Sequence, residues 1–195
     1  MTTYIPQLTL PEAVFNSLPA SILLPIALGT AVGYGTRHTP RQYLSLKQPP
    51  LRPPPWVFGP VWTVLYGMMG YAAYRAVNIG TSLLNSASTI AAARNGSTLY
   101  TIQLGLNLAW MPLFFGLGRP VAATLDIVSL LGVNGYLAYL WGGSVDRTAG
   151  WLLAPYLAWL GFATYLTVGV GHLNGWDLTN IAAFGGDDKE NKKRA

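Results

Sequence analysis

The sequence contains no cysteine, which excludes disulfides, thiol catalysis and cysteine-ligated metals. Its two histidines, His38 and His172, have no second histidine or carboxylate at ligand spacing beside them, so no metal site is expected. Charge is scarce too, with 12 Lys or Arg and 7 Asp or Glu among 195 residues. What charge there is clusters. No Asp, Glu, Lys or Arg occurs in 13–36, 53–74, 95–118, 127–145 or 148–176. Each stretch is near or above the ~20 residues that cross a bilayer as helix. A soluble domain of this length could bury one such helix, but its other helices would need charged faces. The composition therefore predicts an all-α integral membrane protein, a bundle of five transmembrane helices at about 14–35, 55–77, 98–117, 120–141 and 150–171. Residues 1–180 are read as one domain and 181–195 as a mobile charged tail. No internal repeat is visible.

Local signals refine that outline. The run QPPLRPPPWVFGPVWTVLY, from Gln48 to Tyr66, joins a proline-packed lead-in to an uncharged segment opened by Trp56 and Trp62. Proline suits the first helical turn and tryptophan the boundary between headgroups and hydrocarbon, so this run marks a loop entering the membrane. The segment 76–93 is uncharged, yet Asn78, Thr81, Ser82, Asn85, Ser86, Ser88 and Thr89 make it too polar to insert; it reads as a long loop, with or without a short surface helix. Pro25, Pro112 and Pro155 fall inside proposed helices, where bends are expected. The segment MTTYIPQLTLPE has no Lys or Arg to form the positive region of a cleavable signal, so the first helix is expected to stay.

Counting basic residues by side gives an orientation. With five crossings, Arg37, Arg41, Lys47, Arg52, Arg119, Lys189, Lys192, Lys193 and Arg194 share one face, against Arg75, Arg94 and Arg147 on the other. The positive-inside rule places the first face, with the C-terminus, in the cytosol. The net charge of +5 then reflects topology and attraction to anionic lipid, and no nucleic-acid partner is expected.

Chemistry in such a chain has to sit on helix faces. Tyr100, Gln103, Asn107, Trp110 and Phe114 stack as one stripe of the third helix. Amides in hydrocarbon must pair, so Gln103 and Asn107 should face the interior, either as interhelical glue or as ligand contacts. Trp62, Tyr66 and Met69 form a stripe on the second helix, and Tyr156, Trp159, Ala163 and Leu166 on the fifth. Asp126 is the one carboxylate at membrane depth, and it reads equally as functional or as bonded to adjacent backbone or tyrosine. Nothing supplies a second acid, a paired base or an activated nucleophile, so no catalytic residue is assigned and no ordinary enzyme is expected. Gly29-x-x-x-Gly33 and Gly105-x-x-x-Ala109 let backbones approach closely, within the bundle or across a homodimer through the third helix.

The segments PPLRPPPWVFGPVWTVLYGMMGYAAY, LYTIQLGLNLAWMPLFFG followed by Asp126, and APYLAWLGFATYL resemble the signature blocks of the translocator protein family, also called tryptophan-rich sensory proteins or peripheral benzodiazepine receptors. The resemblance implies a five-helix membrane protein whose bundle holds a pocket for porphyrins, haem-related tetrapyrroles, sterols and synthetic aromatic drugs, open toward the first loop. By motif position, Phe58, Gly59, Val61, Trp62, Asn107, Trp110, Trp159, Ala163 and Leu166 would line it, Tyr43 would sit in a lid loop, and Trp141, at a helix end, would matter little. The sequence departs from the family in two places. Val168, Gly169 and His172 replace a sterol-recognition pattern of animal members, and Leu51 stands where tryptophan is common, so porphyrin or haem is the expected ligand ahead of sterol. No cofactor is required. The expected function is a membrane-embedded carrier or sensor; the alternatives are light-dependent porphyrin degradation through Trp62 and Trp159, or a regulatory scaffold acting through cytosolic loops. The resemblance suggests the mitochondrial outer membrane or a bacterial envelope membrane, while the terminal KKRA is similar to an endoplasmic-reticulum retrieval signal.

The charge asymmetry makes a direct prediction. A protease added to intact organelles should remove the tail after Ile181 and leave an N-terminal tag shielded, which an immunoblot of both ends would read. Both ends cut from one side would mean an even number of crossings.

Overall fold

The computed structural model describes residues 8–36 and 46–178. The chain runs α1 (Glu12–Asn16), α2 (Leu18–Gly35), α3 (Pro55–Gly80), α4 (Ala87–Met111), a π-helical turn (Pro112–Gly116), α5 (Pro120–Ser144), α6 (Arg147–Leu152) and α7 (Ala154–Leu173). Helix starts follow the residues at hand. Proline lies in the first turn of α2, α3, α5 and α7, where no backbone donor is lost. Ser17, Ser86 and Asp146 cap α2, α4 and α6 by accepting from amides in the first turn.

The all-α expectation holds, and no strand occurs among the described residues. Three stretches, Leu18–Gly35, Pro120–Ser144 and Arg147–Leu173, are long and apolar enough to cross a membrane. The predicted long loop at 76–93 is not there. α3 continues to Gly80 and α4 begins at Ala87, so only 81–86 connects them. The polar residues that suggested a loop are end-caps of two longer helices. Thr81 donates to the Val77 carbonyl at 2.7 Å, Asn85 donates to the Ile79 carbonyl at 2.6 Å, and Ser86 accepts from the Thr89 amide at 3.2 Å. The first predicted span is also divided, because Ser17 ends α1 and caps α2. The last is interrupted at Leu153, two residues before Pro155, which lies in the first turn of α7. Tyr43 and the tail 181–195 lie outside the described residues.

Packing places α5 against α4, α6 and α7, and α2 against α3. Met69, Ala72 and Ala76 of α3, Tyr100 of α4, Leu137 of α5 and Tyr156 of α7 are fully buried in the shared core. Trp141 belongs with them. Its indole is 0 % exposed and stacks on Tyr100 with centroids 6.1 Å apart. Gly96 makes room for it: a Cβ there would lie 1.9 Å from Trp141 Nε1. α1 folds over the same end, its Phe15 ring edge-on to Tyr100 and its Phe15 carbonyl accepting from Asn78 Nδ2 at 2.8 Å. Across the α5–α6 corner, Arg75 Nε donates to Asp146 Oδ2 at 2.7 Å. That hydrogen bond is the main reason the Asp146 carboxyl is held below the usual carboxylate range.

Two measurements check this core. Gly96→Ala must displace the Trp141 indole and should lower stability by about 1–3 kcal/mol, read as a lower melting temperature in detergent; Gly67→Ala, whose new methyl meets nothing within 4 Å, is the control. Asp146 has its folded pKa depressed, so its contribution is present above its unfolded pKa of about 4 and is lost as pH falls through the folded value. Asp146→Ala should therefore cost about 1 kcal/mol of cap and bridge at pH 7, and its gap from the unsubstituted protein should close in acid.

Candidate functional site

Five helices enclose a cavity of about 660 Å³. One end lies where α2 ends and α3 begins, among Thr36, Arg52, Pro53 and Pro55, and the other, its floor, lies at Tyr66, Asn107, Leu130 and Leu160. The walls are aromatic. Phe58 meets Trp159 edge-on at 5.7 Å, Trp62 leans on Tyr66 at 5.3 Å and meets Tyr156 edge-on at 6.0 Å. Trp110 stacks on Phe114 at 5.1 Å and meets Phe115 edge-on at 5.8 Å. A helix spacing of four puts Phe58, Trp62 and Tyr66 on one face of α3, and that face turns inward.

The floor is polar. Tyr66 donates its hydroxyl hydrogen to Asn107 Oδ1, and Asn107 Nδ2 donates to the Tyr156 hydroxyl at 2.7 Å. Deeper still, the Tyr156 hydroxyl and Asn134 Nδ2 both reach Gln103 Oε1, each at 3.4 Å. The two amides read from the α4 stripe thus divide their work. Gln103 is interhelical glue, whereas Asn107 joins three helices and also faces the cavity. The indole N–H groups of Trp110 and Trp159 are buried and have no hydrogen-bond partner among the described residues. Buried donors of this kind are costly when empty, so they favour an occupant that can accept a hydrogen bond.

Most of the residues singled out by motif come together here. Phe58, Gly59, Trp62, Asn107, Trp110, Trp159, Ala163 and Leu166 line the cavity. Val61 does not; it projects from a neighbouring face of α3 and packs against the hydrophobic core. Trp141 is also absent from the lining. Motif matching missed Tyr66, Phe114 and Phe115, although the first two belong to the stripes read by spacing, and it missed the α2 wall of Ile26, Gly29, Thr30, Gly33 and Tyr34. Small residues carried that last signal: a Cβ on Gly29 would lie 2.3 Å from the Tyr66 ring, so the first small-residue seam serves packing inside the bundle. A Cβ on Gly105 would meet nothing, leaving the second seam open on the outer face of α4.

Asp126 stands apart from the cavity wall. It is 8 % exposed on the buried face of α5, and its Oδ2 has no partner among the described residues. No group of three His, Asp or Glu that could hold a metal occurs among the described residues.

Comparison with known proteins agrees with this geometry. The chain is 44 % identical over 153 residues to a translocator protein homolog of Schizosaccharomyces pombe, covering 78 % of this chain and 88 % of that one. It is 39 % identical over 164 residues to the tryptophan-rich protein TspO of Chlorobaculum tepidum, covering 82 % and 99 %. It is 40 % identical over 137 residues to the translocator protein of Homo sapiens, covering 70 % and 77 %. The TspO/MBR family profile matches residues 21–173, a span that takes in the aromatic-walled cavity from Ile26 to Thr167. With helices, cavity and sequence in agreement, the chain belongs to the TspO/MBR family of membrane proteins.

Proposed function

We propose that this protein is a membrane receptor or carrier that takes a porphyrin or haem-type tetrapyrrole into the bundle, with sterols and other lipids as secondary ligands. α2, α3, α4, α5 and the α6–α7 rod serve as five crossings in this reading, and the Arg52 end of the cavity lies on the cytosolic side. The single observation that carries it is the cavity, an apolar space of about 660 Å³ walled by Phe58, Trp62, Trp110, Phe114 and Trp159. That volume lies within the ordinary range for small-molecule sites. Flat aromatic ligands gain from offset and edge-on ring contacts, and Trp62 and Trp159 offer them from two different helices. No cofactor is needed for binding. The compartment assigned to this reading is the mitochondrial outer membrane, with the endoplasmic reticulum and bacterial envelope membranes as alternatives, and Gly105-x-x-x-Ala109 is its homodimer face.

One observation favours a second reading, light-dependent porphyrin degradation. Trp62 and Trp159 both line the cavity, so a bound, photoexcited ring would touch indoles able to exchange an electron with it.

Quenching of tryptophan fluorescence by protoporphyrin tests the first reading. Trp159→Ala should weaken binding by ~1 kcal/mol or more, the order of a lost aromatic contact. Trp151→Phe, at a site 66 % exposed on the outer surface, should leave affinity unchanged. Equal losses from the two would remove the cavity as the binding site. For the second reading, porphyrin should be lost in light, be stable in darkness and survive longer with Trp159→Phe.

A further inference from the structure

We infer that the cavity selects ligands with a carboxylate at one end, and that Arg52 is the residue that reads it. The inference rests on the porphyrin reading and deepens it. Among the residues lining the cavity, Arg52 is the single charged side chain, and it stands at the end opposite the floor. It has no ion-pair partner among the described residues. No Asp or Glu occurs between Glu12 and Asp126. Among the described residues, this half-buried arginine beside an apolar cavity has no counter-ion. A ligand with a greasy body and an anionic tail completes both halves of that site at once, ring against indoles and carboxylate against a planar fork of donors.

Arg52 also differs from a loose surface arginine because its backbone is strapped down. Tyr165 on α7 donates its hydroxyl hydrogen to the Pro50 carbonyl at 2.9 Å. Asn174, just past α7, accepts from the Lys47 amide at 3.1 Å and donates to the Lys47 carbonyl at 2.9 Å. Leu51 then adopts a left-handed backbone, φ 65°, while its side chain stays 84 % exposed. A left-handed leucine is unfavourable, and such strain persists only where surrounding contacts hold it. The contacts that hold it also fix the start of Arg52, so the guanidinium is presented to the cavity from a fixed base. Pre-positioned donors lose less freedom on meeting a ligand.

Esterification separates charge from shape. Protoporphyrin, which carries carboxylates, and its neutral dimethyl ester would each be titrated into the full-length protein in a neutral detergent, using Arg52→Gln and Arg52→Lys beside the unsubstituted chain. Arg52→Gln should weaken binding of the acid by about tenfold, the order expected of a charge-assisted hydrogen bond, and leave the ester unchanged. Arg52→Lys, which keeps the charge but loses the planar fork, should give an acid affinity between those of Arg52→Gln and the unsubstituted chain, and added salt should weaken the acid but not the ester. Ester binding by Arg52→Gln doubles as the folding control. Equal effects on acid and ester, or no effect on either, would overturn the role of Arg52 while leaving the cavity reading intact. Failure of the unsubstituted protein to bind either form would overturn the porphyrin reading, and this inference with it.

Discussion

The amide of Asn107 is the interaction on which the interior depends. It is 5 % exposed, accepts from Tyr66 on α3 and donates to Tyr156 on α7, so one side chain of α4 ties three helices at a single depth. In hydrocarbon an unpaired amide is costly, and the pairing is therefore close to obligatory. Above this level the helices diverge enough to leave a cavity. Below it Gln103, Asn134, Tyr100 and Trp141 fill the space. The height of the floor is thus set by hydrogen bonding, and the ring contacts above it follow from which residues lie one or two turns further along each helix.

Close backbone approach supplies the second constraint. Gly29 brings α2 onto the Tyr66 ring, and Gly96 admits the Trp141 indole between α4 and α5. Both glycines sit opposite a large aromatic residue, which is how a bundle with so few charged contacts still interlocks. The one described ion pair, Arg75 with Asp146, lies at the end far from Arg52 and has its partners 29 % and 12 % exposed. It pins the turn into α6 and leaves the interior to shape and hydrogen bonds.

Much of this was legible in the sequence because a membrane simplifies the code. Uncharged runs separated by Arg52, Arg75, Arg94, Arg119 and Asp146 gave the succession of helices, and aromatic spacing gave the stripes of α3, α4 and α7 that meet around the cavity. Where the reading failed, polarity had two possible causes. Thr81, Asn85 and Ser86 are polar because helix ends need caps, and they were read as polar because loops are. The α2 wall was missed because most of it, Ile26, Gly29, Thr30 and Gly33, carries no aromatic or amide signal, and its Tyr34 stands alone. Val61 fails for a reason of angle, since a motif names neighbours in sequence while a helix sends adjacent side chains about 100° apart.

The π-helical turn after α4 has a consequence of register. Leu117 N bonds to the Pro112 carbonyl at 2.8 Å, five residues back, so this turn holds more than the usual 3.6 residues. In an uninterrupted α-helix Phe114 would sit above Trp110 and Phe115 would point away by about 100°. Widening the turn lets both rings reach Trp110 and the cavity. In effect the chain carries an insertion of a fraction of a turn, accommodated without rotating α5. Removing a single residue between Pro112 and Gly116 would return the segment to ordinary winding and swing one phenylalanine out toward lipid, so the length of this short stretch is as much a determinant of the aromatic wall as its composition.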